Sequence, residues 1–163
     1  MARKPREYGP SGIYHVVIRG NNNQNIFFSD QDKIFFKEQM KKYAQELEIE
    51  IYAYCLMSNH VHILIGNSNK TMSKFMQKLE TSYAKKFNRK YERHGHVFND
   101  RFLSKNIDDD ERFKTVIRYI LQNPMKAGMC DNNEYLSDKL LVPEKVFYEK
   151  YNNKSYLLTK SVH

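Results

Sequence analysis

Long apolar stretches are missing from this 163-residue chain, as are tryptophan and any run of glycine or proline. No segment approaches the roughly 20 apolar residues that a membrane span needs. The opening Met1-Ala-Arg-Lys-Pro-Arg is basic and polar, unlike the apolar centre of a signal peptide, so export and membrane anchoring are not expected. Six glycines and four prolines leave no linker, repeat or low-complexity tract to divide the chain, and its length suits one domain with one core. Cysteine is scarce too. Cys55 and Cys130 are the only two, and Cys55 falls in an apolar run as a small core residue would. The expectation is a cytoplasmic setting without disulfides.

Acid is in short supply: 27 Lys and Arg face 19 Asp and Glu, a net charge of +8. The excess is concentrated. Between Thr71 and Asn106 nine basic side chains, Lys85, Arg89 and Arg101 among them, meet only Glu80, Glu92 and Asp100. Arg3, Lys4 and Arg6 add three positive charges at the start, with no acid between them. One basic segment plus one basic arm is the footprint of a protein that follows a polyanionic backbone. A solvated helix face would give the same charge pattern.

The periodicities predict an α+β order. Ile13–Arg19 alternates as a strand and stops at Gly20 and three asparagines. Ser29 with Asp32 resembles a capping box, opening a helix with Ile34, Phe35, Met40, Tyr43, Ala44 and Leu47 on its apolar side. Strands follow at Ile49–Met57 and His60–Ile65, joined by a Ser58-Asn59 turn in which Asn tolerates positive φ. Met72, Phe75, Met76, Leu79, Tyr83 and Phe87 mark a second helix, which carries the basic face. His96–Ile107 reads as a fourth strand. Asp108 to Asp110 open a third helix that turns Phe113, Val116, Ile117, Ile120 and Leu121 inward and ends at Pro124. Residues 131–163 are polar and tyrosine-rich, with one short helix around Pro143–Tyr151. The order β-α-β-β-α-β-α matches a ferredoxin-like, split βαβ sheet. Two helices would cover one face, leaving the other for a ligand or for the third helix.

Two features could carry chemistry. In His60-Val61-His62, residues i and i+2 of a strand, both imidazoles project from one face, as half of a divalent metal site would. Two histidines that merely make hydrogen bonds fit the same spacing. On the third helix, Tyr119 and Asn123 share a flank at i, i+4, with Arg112 near it, offering a nucleophile and a third ligand. A tyrosine at the edge of the core with its hydroxyl in water is the plainer reading. Tyr148 also has an asparagine four residues on, so spacing alone does not single out Tyr119.

The combination is more specific. Tyr14-His15-Val16-Val17-Ile18-Arg19-Gly20-Asn21-Asn22, then Ala53 to His62, Phe75-Met76-Gln77, Phe87-Asn88-Arg89, Gly95-His96-Val97-Phe98, Arg101-Phe102, and Arg118-Tyr119-Ile120-Leu121-Gln122-Asn123-Pro124 onward to Gly128 follow one another in order. Together they resemble the HUH-type single-tyrosine transposases, most closely the REP-associated tyrosine transposases, from about Tyr14 to Met129. The resemblance implies a ferredoxin-like catalytic domain over residues 1–130, with residues 1–12 as a basic arm and 131–163 as an extension packed on it or partly flexible. It implies Tyr119 as nucleophile, His60, His62 and Asn123 as ligands, and Mg²⁺ or Mn²⁺ as the ion. Single-stranded DNA near hairpins would be cut to a 5′-phosphotyrosine and a free 3′-hydroxyl. Arg3, Lys4, Arg6, Arg19, Lys85, Arg89 and Arg101 would be DNA contacts, and His15 or another basic group would take the phenolic proton.

The resemblance leaves a monomer and a homodimer both open, with Tyr119 serving its own or a partner's site. Members of this branch often continue into a tryptophan-containing stretch. Here Glu134-Tyr135-Leu136-Ser137 stands near that position and the tail is short. The alternative is a ferredoxin-like module, inactive or domesticated, that binds nucleic acid without cutting it. The basic helix and open sheet would serve such a module equally well. It would not need His60, His62, Tyr119 and Asn123 together. A zinc hydrolase lacks an evident carboxylate beside the histidine pair.

Overall fold

The computed structural model of the protein describes residues 4–66, 68 and 70–126. Arg3, Cys130 and the expected short helix at Pro143–Tyr151 lie outside them, with the rest of the C-terminal extension. The elements run β1 (Tyr14–Arg19), α1 (Asp30–Glu46), β2 (Glu50–Leu56), β3 (His60–Gly66), α2 (Met72–Lys90), β4 (Leu103–Asn106) and α3 (Asp110–Lys126). One antiparallel sheet has the order β2-β3-β1-β4, which is the ferredoxin-like arrangement.

Strand alternation divides the sheet into two unlike faces. Tyr14, Val16 and Ile18 of β1, Tyr54 and Leu56 of β2, and Val61, Ile63 and Ile65 of β3 pack against α1 and α2. There α1 contributes Phe36, Met40 and Ala44, and α2 contributes Phe75, Met76, Leu79, Tyr83 and Phe87. The opposite face buries Ala53, Cys55 and Leu64 under Phe113, Ile117 and Ile120 of α3. A register shift between Ile51 and Ala53 turns Tyr52 to this second face as well, where its ring meets Phe113 edge-on.

The structure corrects three expectations. The apolar side of α1 is centred on Phe36, which is fully buried, whereas Ile34 is exposed. The cap sets this rotation. Ser29 Oγ accepts from the Asp32 amide, and the Asp32 carboxylate accepts from Ser29 N and Phe28 N, from Lys90 Nζ at 2.7 Å and from the Tyr91 hydroxyl at 2.6 Å. Asp32, Phe36, Met40 and Ala44 then form one i, i+4 stripe that faces inward. Second, only Leu103–Asn106 of the expected strand at 96–107 is regular; upstream, an isolated bridge joins Phe98 to Gly20. The Val97 carbonyl accepts from Asn21 N and the Asn99 amide donates to Arg19 O, so the chain crosses the end of β1 before pairing along it. Third, α3 continues past Pro124 to Lys126, because a proline in the last turn forfeits one helical hydrogen bond without ending the coil.

The β2–β3 hairpin closes through two residues, with Met57 N bonded to His60 O. Neither Ser58 nor Asn59 adopts positive φ, so the tolerance of asparagine for that region is not what shapes the turn. Tertiary bonds hold it instead. Ser58 O accepts from Ile26 N, and Asn59 O from Gly20 N, both at 2.8 Å, so the β1–α1 connection clamps the loop from which β3 starts.

Candidate active site

His60 and His62 are the first and third residues of β3, anchored by that clamped hairpin. Val17 lies opposite His62 on β1 and Cys55 opposite it on β2, while Arg19 lies opposite His60. These cross-strand neighbours share the face that α3 covers. Coverage is partial, because α3 packs on β2 and β3. Along β1 and β4 the same face leaves Leu103 60% exposed and Arg19 and Lys105 open to solvent, with His15 and Val17 half-buried between them. The result is a histidine-lined floor bordered by a helix on one side and by cationic side chains on the other.

Tyr119 stands at the edge of that helix, 45% exposed. Its ring meets His62 edge-on at 5.4 Å between centroids and His15 at 6.2 Å. His60 and His62 are perpendicular at 4.9 Å. His62 is 4% exposed, and its Nδ1 lies 3.0 Å from His15 Nε2, whereas its Nε2 is buried without a hydrogen-bond partner among the described residues. Asn123, one turn beyond Tyr119, likewise has a buried amide nitrogen with no partner. His60 Nδ1 lies 2.7 Å from Asn59 Oδ1.

Electrostatics keep the three rings neutral. Burial, then the neighbouring His15, His60 and Arg19, lowers His62 to about 3. Burial and then Lys105 lower His15 to about 4, and burial followed by Arg19 lowers His60 as well. Neutral imidazoles are the ligating form of histidine. Among the described residues no three His, Cys, Asp or Glu side chains gather as a metal cage. Turning the Asn123 amide about its last torsion would present an oxygen in place of the unpartnered nitrogen. The orphaned nitrogen of His62 and the amide of Asn123 are donors of the chemical type that a divalent ion accepts.

The other candidate DNA-binding residues are dispersed. Arg19 borders the histidines. Lys4 is exposed on the N-terminal arm. Arg6 is built into the fold, donating to Ser104 Oγ at 2.8 Å and to Phe102 O at 2.7 Å and stacking 3.5 Å over the Phe102 ring. Lys85 and Arg89 line a cleft of about 380 Å³ with Ser82, Lys86 and Lys90. This cleft belongs to α2, on the far side of the sheet from His62. Arg101 lines a second cavity of about 420 Å³ with Asn21, Glu80, His96 and Phe98. In the sequence Glu80 reads only as an opposing charge. Its burial pushes the carboxyl up to about 7 in spite of Arg6, and nothing in the helical periodicity signals this. The His15–His62 pair is equally invisible in the sequence, because it needs the register of β1 on β3.

Comparisons with known proteins bear on the fold and the family. The family model described as IS200-like transposase matches residues 10–123. A Haemophilus influenzae protein provisionally named a REP-associated tyrosine transposase is 22% identical over 142 residues, 80% of each chain. A solved REP-associated tyrosine transposase bound to a REP hairpin superposes with a TM-score of 0.65 at 18% identity, covering 85% of this chain and 79% of the other. A Deinococcus radiodurans structure provisionally assigned as a transposase gives 0.51 at 17% identity, covering 73% and 95%. With the family matched from before β1 to Asn123, and the fold shared with two solved structures, the chain belongs to the IS200-like transposases and is similar to their REP-associated tyrosine members.

Proposed function

We propose that the protein nicks and rejoins hairpin-flanked single-stranded DNA, with Tyr119 as nucleophile and Mg²⁺ or Mn²⁺ held by His60, His62 and Asn123. The observation that carries this reading is the exposed Tyr119 phenol standing edge-on to the buried His62, on the one sheet face left half open. When bound, the ion would withdraw charge from the scissile phosphate, which a phenol otherwise attacks poorly. The protein's own groups do the rest. Tyr119 Oη forms a bond to phosphorus as the bond from phosphorus to the 3′ oxygen breaks. The phenolic proton is lost and the departing 3′ oxygen gains one, leaving a 5′-phosphotyrosine and a 3′-hydroxyl. Because the phosphate ester is conserved, that hydroxyl can reverse the step without ATP. Arg19 and Lys105, bordering the histidines, would hold the strand's phosphates along the open half of the face. The relative bound to a REP hairpin supports a hairpin as the recognised element.

The test is covalent capture. Labelled hairpin-flanked single strands incubated with Mn²⁺ should become attached to the wild-type protein. Tyr119→Phe should form no adduct yet bind the strand with unchanged affinity. Cleavage surviving in Tyr119→Phe would remove that residue from its role. Binding without any adduct from the wild type would point to the non-cutting module instead.

A further inference from the structure

His60 and His62 each offer a ligand only through a ring nitrogen that carries no proton, and a neutral imidazole has one such nitrogen. Which nitrogen it is depends on what the other one touches. For His60 the neighbour decides. Asn59 Oδ1, 2.7 Å from Nδ1, can only accept, so His60 carries its proton on Nδ1 and its Nε2 is bare. The Asn59 amide is itself oriented, because its Nδ2 donates to Asn23 O at 3.4 Å.

For His62 the neighbour is a second imidazole, His15 Nε2 at 3.0 Å from Nδ1, and two arrangements satisfy that hydrogen bond. In one, His15 donates from Nε2, which leaves the proton of His62 on a buried Nε2 that has no acceptor among the described residues. Nε2 lacks a hydrogen bond in either arrangement, but a proton there also bars a cation from that nitrogen. In the other, His62 donates from Nδ1 to a bare His15 Nε2, and His62 Nε2 keeps its lone pair free for a cation.

We infer that His15 is a positioning residue that accepts the Nδ1 proton of His62, so that β1 and the β2–β3 hairpin together turn both imidazoles Nε2-outward as a pair. The geometry supports this assignment beyond the single distance. His15 lies opposite Leu64, two residues from His62, so it reaches His62 on the diagonal of the β1–β3 ladder, and the ring planes lie within 25° of each other with 5.2 Å between centroids, as an in-plane N–H···N bond requires. Side chains so placed are held by both strands, and the hydrogen bond fixes the plane of the His62 ring as well as its tautomer. This inference rests on the metal reading above, which gives the free lone pair its role, while the proton's position can be measured without the metal.

Long-range ¹⁵N–¹H NMR of the metal-free, full-length wild type at neutral pH reads the tautomers directly. Protons on Nδ1 of both His60 and His62 are expected; a His62 proton on Nε2 would overturn the inference. A second arm measures Mn²⁺ affinity by calorimetry for wild type, His15→Leu and His15→Gln. Removing the acceptor in His15→Leu should weaken Mn²⁺ about 10- to 100-fold and leave His62 a mixture of tautomers. His15→Gln, whose amide oxygen can accept, should recover most of both. Wild-type Mn²⁺ affinity in His15→Leu would also overturn the inference. If the wild type takes up no Mn²⁺ but carries the His62 proton on Nδ1, the inference holds and the metal in the proposed function fails.

Discussion

On the α1–α2 side of the sheet, Val61, Ile63 and Ile65 are sealed under aromatic and methionine side chains, and the surface beyond is basic. On the α3 side, the alternate residues His60, His62 and Leu64 of the same strand face a single helix that covers only half the area. One strand thus serves two purposes, and the difference lies in how completely each face is closed. The closed face supplies rigidity. Val61 and Ile63 are fully buried, so the strand carrying the histidines has no freedom to shift register without turning its apolar residues to solvent. The half-open face would admit the phosphate of the proposed reaction. Among the described residues, two of the three buried polar side-chain atoms without partners belong to His62 and Asn123, where the proposed ion or substrate would satisfy them; the third is Thr71 Oγ1, at the start of α2.

The largest effect expected from breaking this division is in the closed core. Phe36→Ala removes a fully buried ring that meets Phe27 and Tyr83 edge-on, and should cost about 3–5 kcal/mol of unfolding free energy in urea melts. Leu103→Ala, on the open face at 60% exposure, should change stability by no more than about 0.5 kcal/mol. Similar losses from the two would mean that the open face is closed in solution, by a partner or by another part of the chain.

Next in size is the polar joint between the helices. Asp32 caps α1 and accepts from Lys90 and Tyr91 at the end of α2. Although burial opposes ionisation there, the hydrogen bonds from Lys90 and Tyr91 win and hold the carboxyl below its ordinary value. A depressed pKa in the folded state contributes stability above the unfolded value, which is lost as pH falls through the folded one. Asp32→Ala should therefore cost about 2 kcal/mol near neutral pH, from the cap and the missing hydrogen bonds. The gap from wild type should narrow below about pH 4. A difference independent of pH between about 2 and 7 would assign the loss to packing.

Much of this division is legible in the residues. Period-two alternation alone sends His60 and His62 to one face and Val61 and Ile63 to the other, and the family-like order of motifs singles out Tyr119 among twelve tyrosines. What is not legible depends on groups distant in sequence. Phe35 and Phe36 are equally apolar neighbours, and Phe36 is the one that shares the buried stripe of Asp32, which Lys90 holds from α2. The irregular path before β4 follows from backbone bonds of Val97 and Asn99 to Asn21 and Arg19, which the local β-propensity of residues 96–107 cannot foresee. Charge misleads in a different way. Lys85 and Arg89 read as part of one footprint with the site, yet the α2 layer carries them on the face away from the histidines.

That separation makes a smaller but sharper prediction. Lys85→Ala with Arg89→Ala should lower the salt dependence of strand binding, by up to about one unit of slope for each phosphate that the helix no longer neutralises. Adduct formation at saturating DNA should be unchanged, since neither side chain borders His62. A drop in the saturated rate would mean that the strand wraps from the α2 cleft to the histidine face in a way that positions the phosphate. An unchanged salt slope would leave the cleft with no role in binding.

Glu80 gives the smallest effect, and one with a distinct sign. Its carboxyl is raised to about 7 by burial beside the Arg101 cavity. A raised pKa means that the folded chain holds a proton the unfolded chain has released, so this group's contribution is fully present below about pH 4.5 and is lost as pH climbs through 7. Glu80→Gln mimics the protonated form at every pH. It should match the wild type near pH 4 and exceed it in melting temperature at about pH 8, where the wild type must keep a sheltered carboxylate. If Glu80→Gln is instead less stable at the higher pH, the carboxylate is a partner that Arg6 or Arg101 requires. The cavity would then belong to the structural scaffold of the closed face, and DNA binding at Arg101 would have to come at the expense of that pair.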